Sequence, residues 1–129
     1  MCQRIVVCDD EAHVTRSVAM KLNRAGFEVE SAPNGSAALD SIRREIPALL
    51  ITDCQMPLMD GVELCRQLRA DPATSGLPVI LLTAKAFEMD SGSLQQELRI
   101  SHIVSKPFSP RELLRLVNET LGTKRDVVA

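Results

Sequence analysis

Tryptophan and tyrosine are absent from this sequence, and phenylalanine occurs only three times. Surfaces that bind single-stranded nucleic acid usually stack bases on aromatic rings, so this shortage argues against such a surface. An excess of one charge is also lacking, because 15 basic and 17 acidic residues give a formal net charge of -2 at pH 7. We therefore expect no direct binding to nucleic acid and no general attraction to anionic lipid.

Long apolar runs and cysteine motifs are missing as well. No segment reaches the roughly 18 apolar residues of a membrane span, and the first apolar segment is too short for a signal peptide. The four cysteines form no CxxC pair and have no histidine at metal-ligand spacing. Free thiols of this kind usually serve as small apolar residues in a reducing compartment. The sequence thus predicts a cytoplasmic protein without a membrane segment.

What the sequence does contain is a regular alternation of short apolar segments with helical patterns. The predicted strands are Ile5–Cys8, Glu28–Ala32, Leu49–Thr52, Val79–Thr83 and Ile103–Val104. The predicted helices are Ala12–Ala25, one capped by Asn34 with an apolar face reaching Ile46, one capped by Asp60, a short one near Ser93–Leu98, and one capped by Ser109. Apolar strands separated by helices favour a parallel sheet covered on both faces. We expect a single α/β domain over residues 1–122, followed by a tail over 123–129.

Polar residues collect where these strands end. Asp9 and Asp10 follow the first strand, Asp53 follows the third, Thr83 ends the fourth and Lys106 follows the fifth. Ligands of an open parallel sheet bind at the carboxyl ends of its strands, so these side chains are expected to meet in one crevice.

Three carboxylates in one crevice repel one another and favour binding of a cation. An oxygen-rich site without His or Cys ligands suits Mg²⁺ or Mn²⁺. Helix capping is the simpler explanation for one or two of the acids at 9–11, but it does not explain Asp53. With a lysine and a hydroxyl added, the set has what phosphoryl transfer requires, and Asp53 would supply the attacking oxygen.

Four segments carry a resemblance to a known family. "IVVCDDE", "LLITDCQMPLMDG", "VILLTAKA" and "IVSKPF" resemble the signature blocks of the receiver domain of two-component response regulators, in the same order and spacing. The resemblance covers nearly the whole chain. It implies a flavodoxin-like sheet with strand order 2-1-3-4-5.

The resemblance also implies roles for individual residues. Asp53 would be the phosphoacceptor, and Asp10 and Asp53 would bind Mg²⁺ directly. Asp9 would act through metal-bound water, and the backbone carbonyl of Gln55 would complete the protein's ligands. Thr83 would be the switch hydroxyl, and Lys106 would pair with the phosphoryl group. The family further implies a cis bond before Pro107 and control of phosphoryl lifetime at Gln55 and Lys85.

Two positions depart from the family pattern. Ile103 stands where receivers often have an aromatic ring, so the signal cannot pass through a ring here. The segment 98–102 lacks the Ala-Gly pair that is frequent before the fifth strand. Both departures concern the output mechanism and leave the phosphorylation chemistry in place.

The expected partners follow from the same resemblance. The phosphoryl donor would be a sensor histidine kinase or a histidine phosphotransfer protein. The first helix carries a stripe that is either a partner surface or ordinary solvated surface, formed by His13, Ser17, Met20 and Arg24. The output would pass through helix 4, strand 5 and helix 5 to a protein target. The protein would be a monomer or a phosphorylation-dependent dimer, and the chain is either a stand-alone receiver or part of a longer regulator.

Three other functions are compatible with parts of the pattern. A Mg²⁺-dependent phosphatase with an aspartyl nucleophile is one, although its usual Asp-x-Asp reads Asp53-Cys54-Gln55 here. A nucleotide or flavin module on the same sheet is another, but the acids of "CDDEAH" would repel phosphate. The third is a receiver-like module that binds partners without phosphorylation. We expect the protein to catalyse only its own phosphorylation and dephosphorylation and not to be an enzyme otherwise.

Overall fold

The architecture comes from a computed structural model that describes residues 3–84 and 91–123. Strands and helices alternate along the chain, and they are numbered in chain order. The strands are β1 (Arg4–Cys8), β2 (Glu28–Ala32), β3 (Leu49–Asp53), β4 (Val79–Thr83) and β5 (His102–Ser105). The helices are α1 (Ala12–Arg24), α2 (Gly35–Arg44), α3 (Gly61–Ala70), α4 (Ser91–Leu98) and α5 (Pro110–Leu121).

All five strands run parallel in the order β2-β1-β3-β4-β5, which confirms the predicted flavodoxin-like sheet. Every residue of β3 and of β4 is buried, because helices cover both faces of the sheet. Successive strand residues point to opposite faces. Val6 and Leu50 therefore pack under α2, α3 and α4, while Val7 and Ile51 pack under α1 and α5.

Helix starts follow the capping residues that the sequence indicates. The side chains of Asn34 and Asp60 accept hydrogen bonds from the third backbone N–H that follows each of them, at 2.8 Å in both cases. Ser109 accepts from the N–H groups of Arg111 and Glu112. These bonds satisfy N–H groups that have no partner within the helix.

Several element limits differ from the expectations. Helix α2 ends at Arg44, so Ile46 is not on its apolar face and is 49% exposed. Strand β3 continues through Asp53, and β5 is longer than predicted on both sides. Ile46 has the spacing of the helix's apolar positions, but the backbone is already extended at Glu45. Pro47 also disfavours a helical conformation at Ile46, the residue directly before it.

The side chain of Arg69 attaches the C-terminal end of α4 to α3. The guanidinium of Arg69 donates to the carbonyl oxygens of Leu98 at 2.7 Å, Thr74 at 3.2 Å and Arg99 at 3.5 Å. The last carbonyls of a helix lack partners within it, so a cation at this place is favourable. Arg69 therefore sets where α4 ends relative to the sheet.

The described cysteines behave as apolar residues. Cys8, Cys54 and Cys65 are buried free thiols. Burial raises the pKa of Cys8 and Cys65 to about 12 and that of Cys54 to about 11. These thiols stay protonated at neutral pH and are poor nucleophiles. Within residues 3–84 and 91–123, no helix is both long enough and apolar enough to cross a membrane.

Candidate functional site

The sheet brings the predicted site residues together at the carboxyl ends of β1, β3, β4 and β5. Asp9 follows β1, and Asp53 is the last residue of β3, which lies directly beside β1. Thr83 ends β4, and the backbone N–H of Lys106 donates to its carbonyl at 2.8 Å. The lysine thereby enters the site from the far side of the sheet, and the peptide bond that follows it, to Pro107, is cis as the resemblance implies.

Four carboxylates of the described residues lie at this edge. Asp9, Asp10, Glu11 and Asp53 each offer an oxygen, and these four atoms lie within 4.8 Å of one another. Asp9 and Asp53 are buried, whereas Asp10 and Glu11 are exposed at the mouth. The sequence placed Asp9, Asp10 and Asp53 here as metal ligands; Glu11 is an additional acid that was considered only as part of a helix start.

Lys106 is the cation that offsets these charges. Its Nζ lies 2.9 Å from Asp9 Oδ2, 3.3 Å from Glu11 Oε1 and 3.3 Å from Asp53 Oδ1. The lysine side chain is only 14% exposed. Burial by itself lowers the pKa of Lys106, but the hydrogen bond to Asp9 and the charge of Asp53 outweigh it and hold the pKa above its ordinary value. Lys106 is thus a fixed positive charge at neutral pH.

The carboxylates of Asp9 and Asp53 differ in the hydrogen bonds that they accept. Asp9 accepts from the backbone N–H of Glu11 at 2.9 Å and from Lys106 at 2.9 Å. Among the described residues, none donates a hydrogen bond of good geometry to the buried Asp53 Oδ1, although Lys106 Nζ lies 3.3 Å from it. Buried polar atoms are rarely left in this condition, and one that is calls for an explanation such as an ion or a reactive role.

The electrostatics of Asp53 point the same way. Burial raises the pKa of Asp53 and repulsion from Asp9 adds to the effect, while Lys106 opposes both. The carboxylate therefore carries unfavourable energy in the folded protein, which a bound cation would relieve. An all-oxygen set of this kind, partly buried and open at one side, fits Mg²⁺ or Mn²⁺.

Gln55 and Thr83 contact each other through their side chains. Gln55 Nε2 lies 3.0 Å from Thr83 Oγ1, and Gln55 Oε1 lies 3.3 Å from the same hydroxyl. The resemblance assigned Gln55 a metal-binding role through its backbone carbonyl and part of the lifetime control, but sequence reasoning did not anticipate this contact. Lys85, to which the resemblance assigns part of the lifetime control, lies outside the described residues.

The phosphoacceptor candidate also shapes the start of α3. Gly61 donates its N–H to the carbonyl of Cys54 at 3.0 Å. A Cβ atom at Gly61 would lie 2.2 Å from the carbonyl oxygen of Asp53 and 3.1 Å from the Cα of Cys54. The helix thus packs backbone against backbone on the segment that carries Asp53, and this contact is possible only for glycine.

The raised pKa of Asp53 predicts a pH-dependent effect on stability. A carboxyl group whose folded pKa is raised stabilises the fold below its unfolded pKa, near 4, and loses that contribution as the pH rises through the folded value. Asp53→Asn should therefore raise the melting temperature at pH 7 in a chelating buffer, and the gain should disappear below about pH 4. Thermal melts across this range measure it, with Asp40→Asn on the exposed face of α2 as control. A gain that persists at pH 3 would contradict the electrostatic explanation.

Comparison with known proteins was made on both sequence and structure. A family model described as the response regulator receiver domain matches residues 5–118. The DNA-binding response regulator MtrA of Mycolicibacterium smegmatis is 37% identical over 126 residues, which are 98% of this chain and 54% of MtrA. The alkaline phosphatase synthesis transcriptional regulatory protein PhoP of Bacillus subtilis is 38% identical over 113 residues, 88% of this chain and 46% of PhoP. The chain therefore spans about half the length of the curated relatives it matches.

Solved structures give the same picture. Chemotaxis protein CheY4 of Vibrio cholerae superposes with a TM-score of 0.87 at 26% identity, covering 94% of this chain and 100% of CheY4. The receiver domain of sensor histidine kinase PA1611 from Pseudomonas aeruginosa superposes with a TM-score of 0.84 at 27% identity, over 95% of this chain and 100% of that domain. That structure is described with a magnesium ion coordinated in its active-site cleft.

Proposed function

The chain belongs to the receiver domains of two-component response regulators, and on that premise we propose that Asp53 accepts a phosphoryl group in a Mg²⁺-dependent reaction. The observation that supports this most is the state of Asp53 Oδ1, which is buried, lies 3.3 Å from Lys106 Nζ and has no well-aligned hydrogen-bond donor in the described part of the chain. A carboxylate oxygen in this condition is a poorly solvated nucleophile beside a cation. Both features favour attack on phosphorus.

The proposed step begins with a phosphohistidine of a sensor kinase or phosphotransfer protein. A carboxylate oxygen of Asp53 forms a bond to phosphorus while the bond from phosphorus to the imidazole nitrogen breaks. The electron pair stays on that nitrogen, which takes up a proton. Lys106, already 2.9 Å from Asp9 and 3.3 Å from Asp53, would turn its ammonium toward the developing phosphoryl charge.

Asp10, Asp53 and the carbonyl of Gln55 would hold Mg²⁺ in this proposal, and Asp9 would reach it through water. The ion would neutralise charge on the phosphoryl oxygens. The close set of four carboxylate oxygens supports such a site, and so does the magnesium described in the cleft of the kinase receiver domain. Glu11 adds a fourth acid at the mouth and shares Lys106 with Asp9.

A docking place for the donor is part of the proposal. His13, Ser17, Met20 and Arg24 of α1 are all exposed, as a partner surface requires. A groove of about 510 Å³ runs from this helix to Lys106 and Phe108. A histidine-bearing partner on α1 would thus have an open approach to the site.

Thr83 would pass the signal to the output surface of α4, β5 and α5. Its hydroxyl would move toward a phosphoryl oxygen, and the change in charge would bias the neighbouring elements. Ile103 is half-buried and packs against the core cluster that includes α4. A shift of α4 would therefore change the packing around Ile103, which would take the role of the moving ring. The hydrogen bond from Arg69 to the carbonyl of Leu98 would limit this shift at the C-terminal end of α4.

The proposed receiver unit extends over residues 1–122, since α5 continues to Leu121 and a left-handed Gly122 ends it. The tail predicted over 123–129 lies, from residue 124 onward, outside the described residues. A cytoplasmic location, a protein target and a monomer or phosphorylation-dependent dimer stay predictions. We do not extend to this chain the DNA binding that the name of the relative MtrA states.

Incubation with acetyl phosphate and Mg²⁺, followed by intact-mass measurement, tests the proposal. The wild type should gain about 80 Da, the mass of one phosphoryl group replacing a proton. Asp53→Asn should gain nothing, and Asp40→Asn on the exposed face of α2 should behave as the wild type. An unmodified wild type, or an equally modified Asp53→Asn, would refute the assignment. Sustained turnover of a generic phosphate ester would favour the phosphatase hypothesis instead.

A further inference from the structure

The side-chain amide of Gln55 bridges the ends of β3 and β4. Its Nε2 lies 3.0 Å from Thr83 Oγ1, and its Oε1 lies 3.3 Å from that hydroxyl and 3.4 Å from the backbone nitrogen of Ala84. The amide therefore contacts both the proposed switch hydroxyl and the first residue after β4. Neither contact involves the backbone carbonyl through which Gln55 would hold Mg²⁺.

The backbone N–H of Ala84 determines the orientation of the Gln55 side-chain amide. An amide oxygen only accepts hydrogen bonds and an amide nitrogen only donates them. The N–H of Ala84 is a donor, so Oε1 must face it and Nε2 must face Thr83. The shortest bond of the set is then donated by Gln55 to the threonine oxygen.

Burial makes this bond significant. Thr83 is 0% exposed, so bulk water does not compete for its hydroxyl from the open side of the site. Gln55 is half-buried and covers it. The hydroxyl accepts from Gln55 Nε2 at 3.0 Å and donates its single proton to Gln55 Oε1 at 3.3 Å. Turning that proton to a new acceptor therefore breaks the bond to Oε1.

We propose that Gln55 is a positioning residue that retains Thr83 in its resting orientation, so that a phosphoryl group must compete with the Gln55 amide for the threonine. This inference rests on the proposed function, because it takes Thr83 as the group that moves. The contact between Oε1 and Ala84 extends the effect to the chain that leaves β4.

A purely structural amide would behave differently. If Gln55 only stabilised the loop after β3, its removal would lower stability and would change ligand binding equally whether or not Thr83 had a hydroxyl. If it retains Thr83, its removal matters only while the hydroxyl is present. A double-mutant cycle separates the two cases.

The experiment measures the affinity for beryllium trifluoride, a mimic of an aspartyl-bound phosphoryl group, in the presence of Mg²⁺ by titration calorimetry. Gln55→Met keeps the length of the side chain and removes its hydrogen bonds. It should bind the mimic about three- to tenfold more tightly than the wild type, the range expected for one neutral hydrogen bond. The double variant with Thr83→Val should bind no differently from Thr83→Val alone.

Gln67→Met is the matched control, because it makes the same change at a half-buried glutamine in the second half of α3. It should leave the affinity unchanged. Gln55→Leu repeats the test with a second side chain that cannot hydrogen-bond, should the methionine variant fail to fold.

The outcomes distinguish this inference from the proposed function. Weaker or unchanged binding by Gln55→Met, or an equal change in both Thr83 backgrounds, would overturn the retaining role alone if the wild type is phosphorylated on Asp53. A wild type that takes up neither the phosphoryl group nor the mimic would overturn the proposed function, and the role of Gln55 with it.

Discussion

Gly61→Ala should disrupt both the fold and the proposed phosphorylation site. Its new Cβ would lie 2.2 Å from the carbonyl oxygen of Asp53 and 3.0 Å from the carbonyl carbon, and both atoms belong to a buried strand that cannot yield. Either α3 or the end of β3 must move. We expect a loss of about 3 kcal/mol in the free energy of unfolding, the upper end for an overpacked core. Urea denaturation measures it.

The same substitution should slow phosphorylation. A displacement of a reacting group by about 1 Å can reduce a rate on the order of 100-fold. The rate of adduct formation with acetyl phosphate should therefore fall by one to two orders of magnitude in the folded fraction of the variant.

Gly76→Ala provides the matched control, because a Cβ at that glycine meets nothing within 4 Å. It should be neutral or slightly stabilising, by at most about 1 kcal/mol, since alanine restricts the unfolded chain. Equal losses for Gly61→Ala and Gly76→Ala would show that the backbone contact beneath Asp53 is unimportant.

The second large effect is expected for Lys106→Met. Removal of the ammonium leaves Asp9 and Asp53, whose side chains are 0% and 4% exposed, without their nearby cation. Breaking a fully buried pair costs about 3–5 kcal/mol, and the open mouth of this site reduces that to about 2–3 kcal/mol. The loss should be seen in urea denaturation in a chelating buffer.

Mg²⁺ should restore most of that stability, because the divalent cation neutralises the same carboxylates. The lysine variant should also bind Mg²⁺ more tightly than the wild type, since no ammonium competes for Asp9, Glu11 and Asp53. Arg115→Met on α5 is the control, since its ion pairs with Glu112 and Glu119 are exposed and its loss should change little. An equal loss for Lys106→Met with and without Mg²⁺ would show that the charge plays no part.

Most of the fold could be predicted from the sequence, because the features that indicate strands and helix starts lie within a few neighbouring residues. Unbroken apolar strands such as Val79–Thr83 predict burial on both faces of a sheet, and the structure confirms it. Asn34, Asp60 and Ser109 mark helix starts by a bond that closes within three residues. The prediction that Ile46 lies on the apolar face of α2 was wrong, because spacing alone cannot show that the helix has already ended.

Part of the site could also be predicted from the sequence. The strands of a parallel sheet end at the same edge, so the sequence alone places Asp9, Asp53, Thr83 and Lys106 near one another. The order of the strands, without which Asp9 and Asp53 need not be neighbours, came from the family resemblance and not from the residues themselves. The sheet confirms that β1 and β3 are adjacent.

The sequence by itself determined which chemical groups stand at the strand ends, because strand period and turn residues are properties of neighbouring positions. The tertiary structure alone decided how those groups pair. Glu11 shares Lys106 with Asp9, Gln55 turns its amide to Thr83, and Gly61 lies against the backbone of Asp53. Each of these contacts depends on the direction of a side chain or the distance between two elements, and neither quantity is encoded in the spacing of residues along the chain.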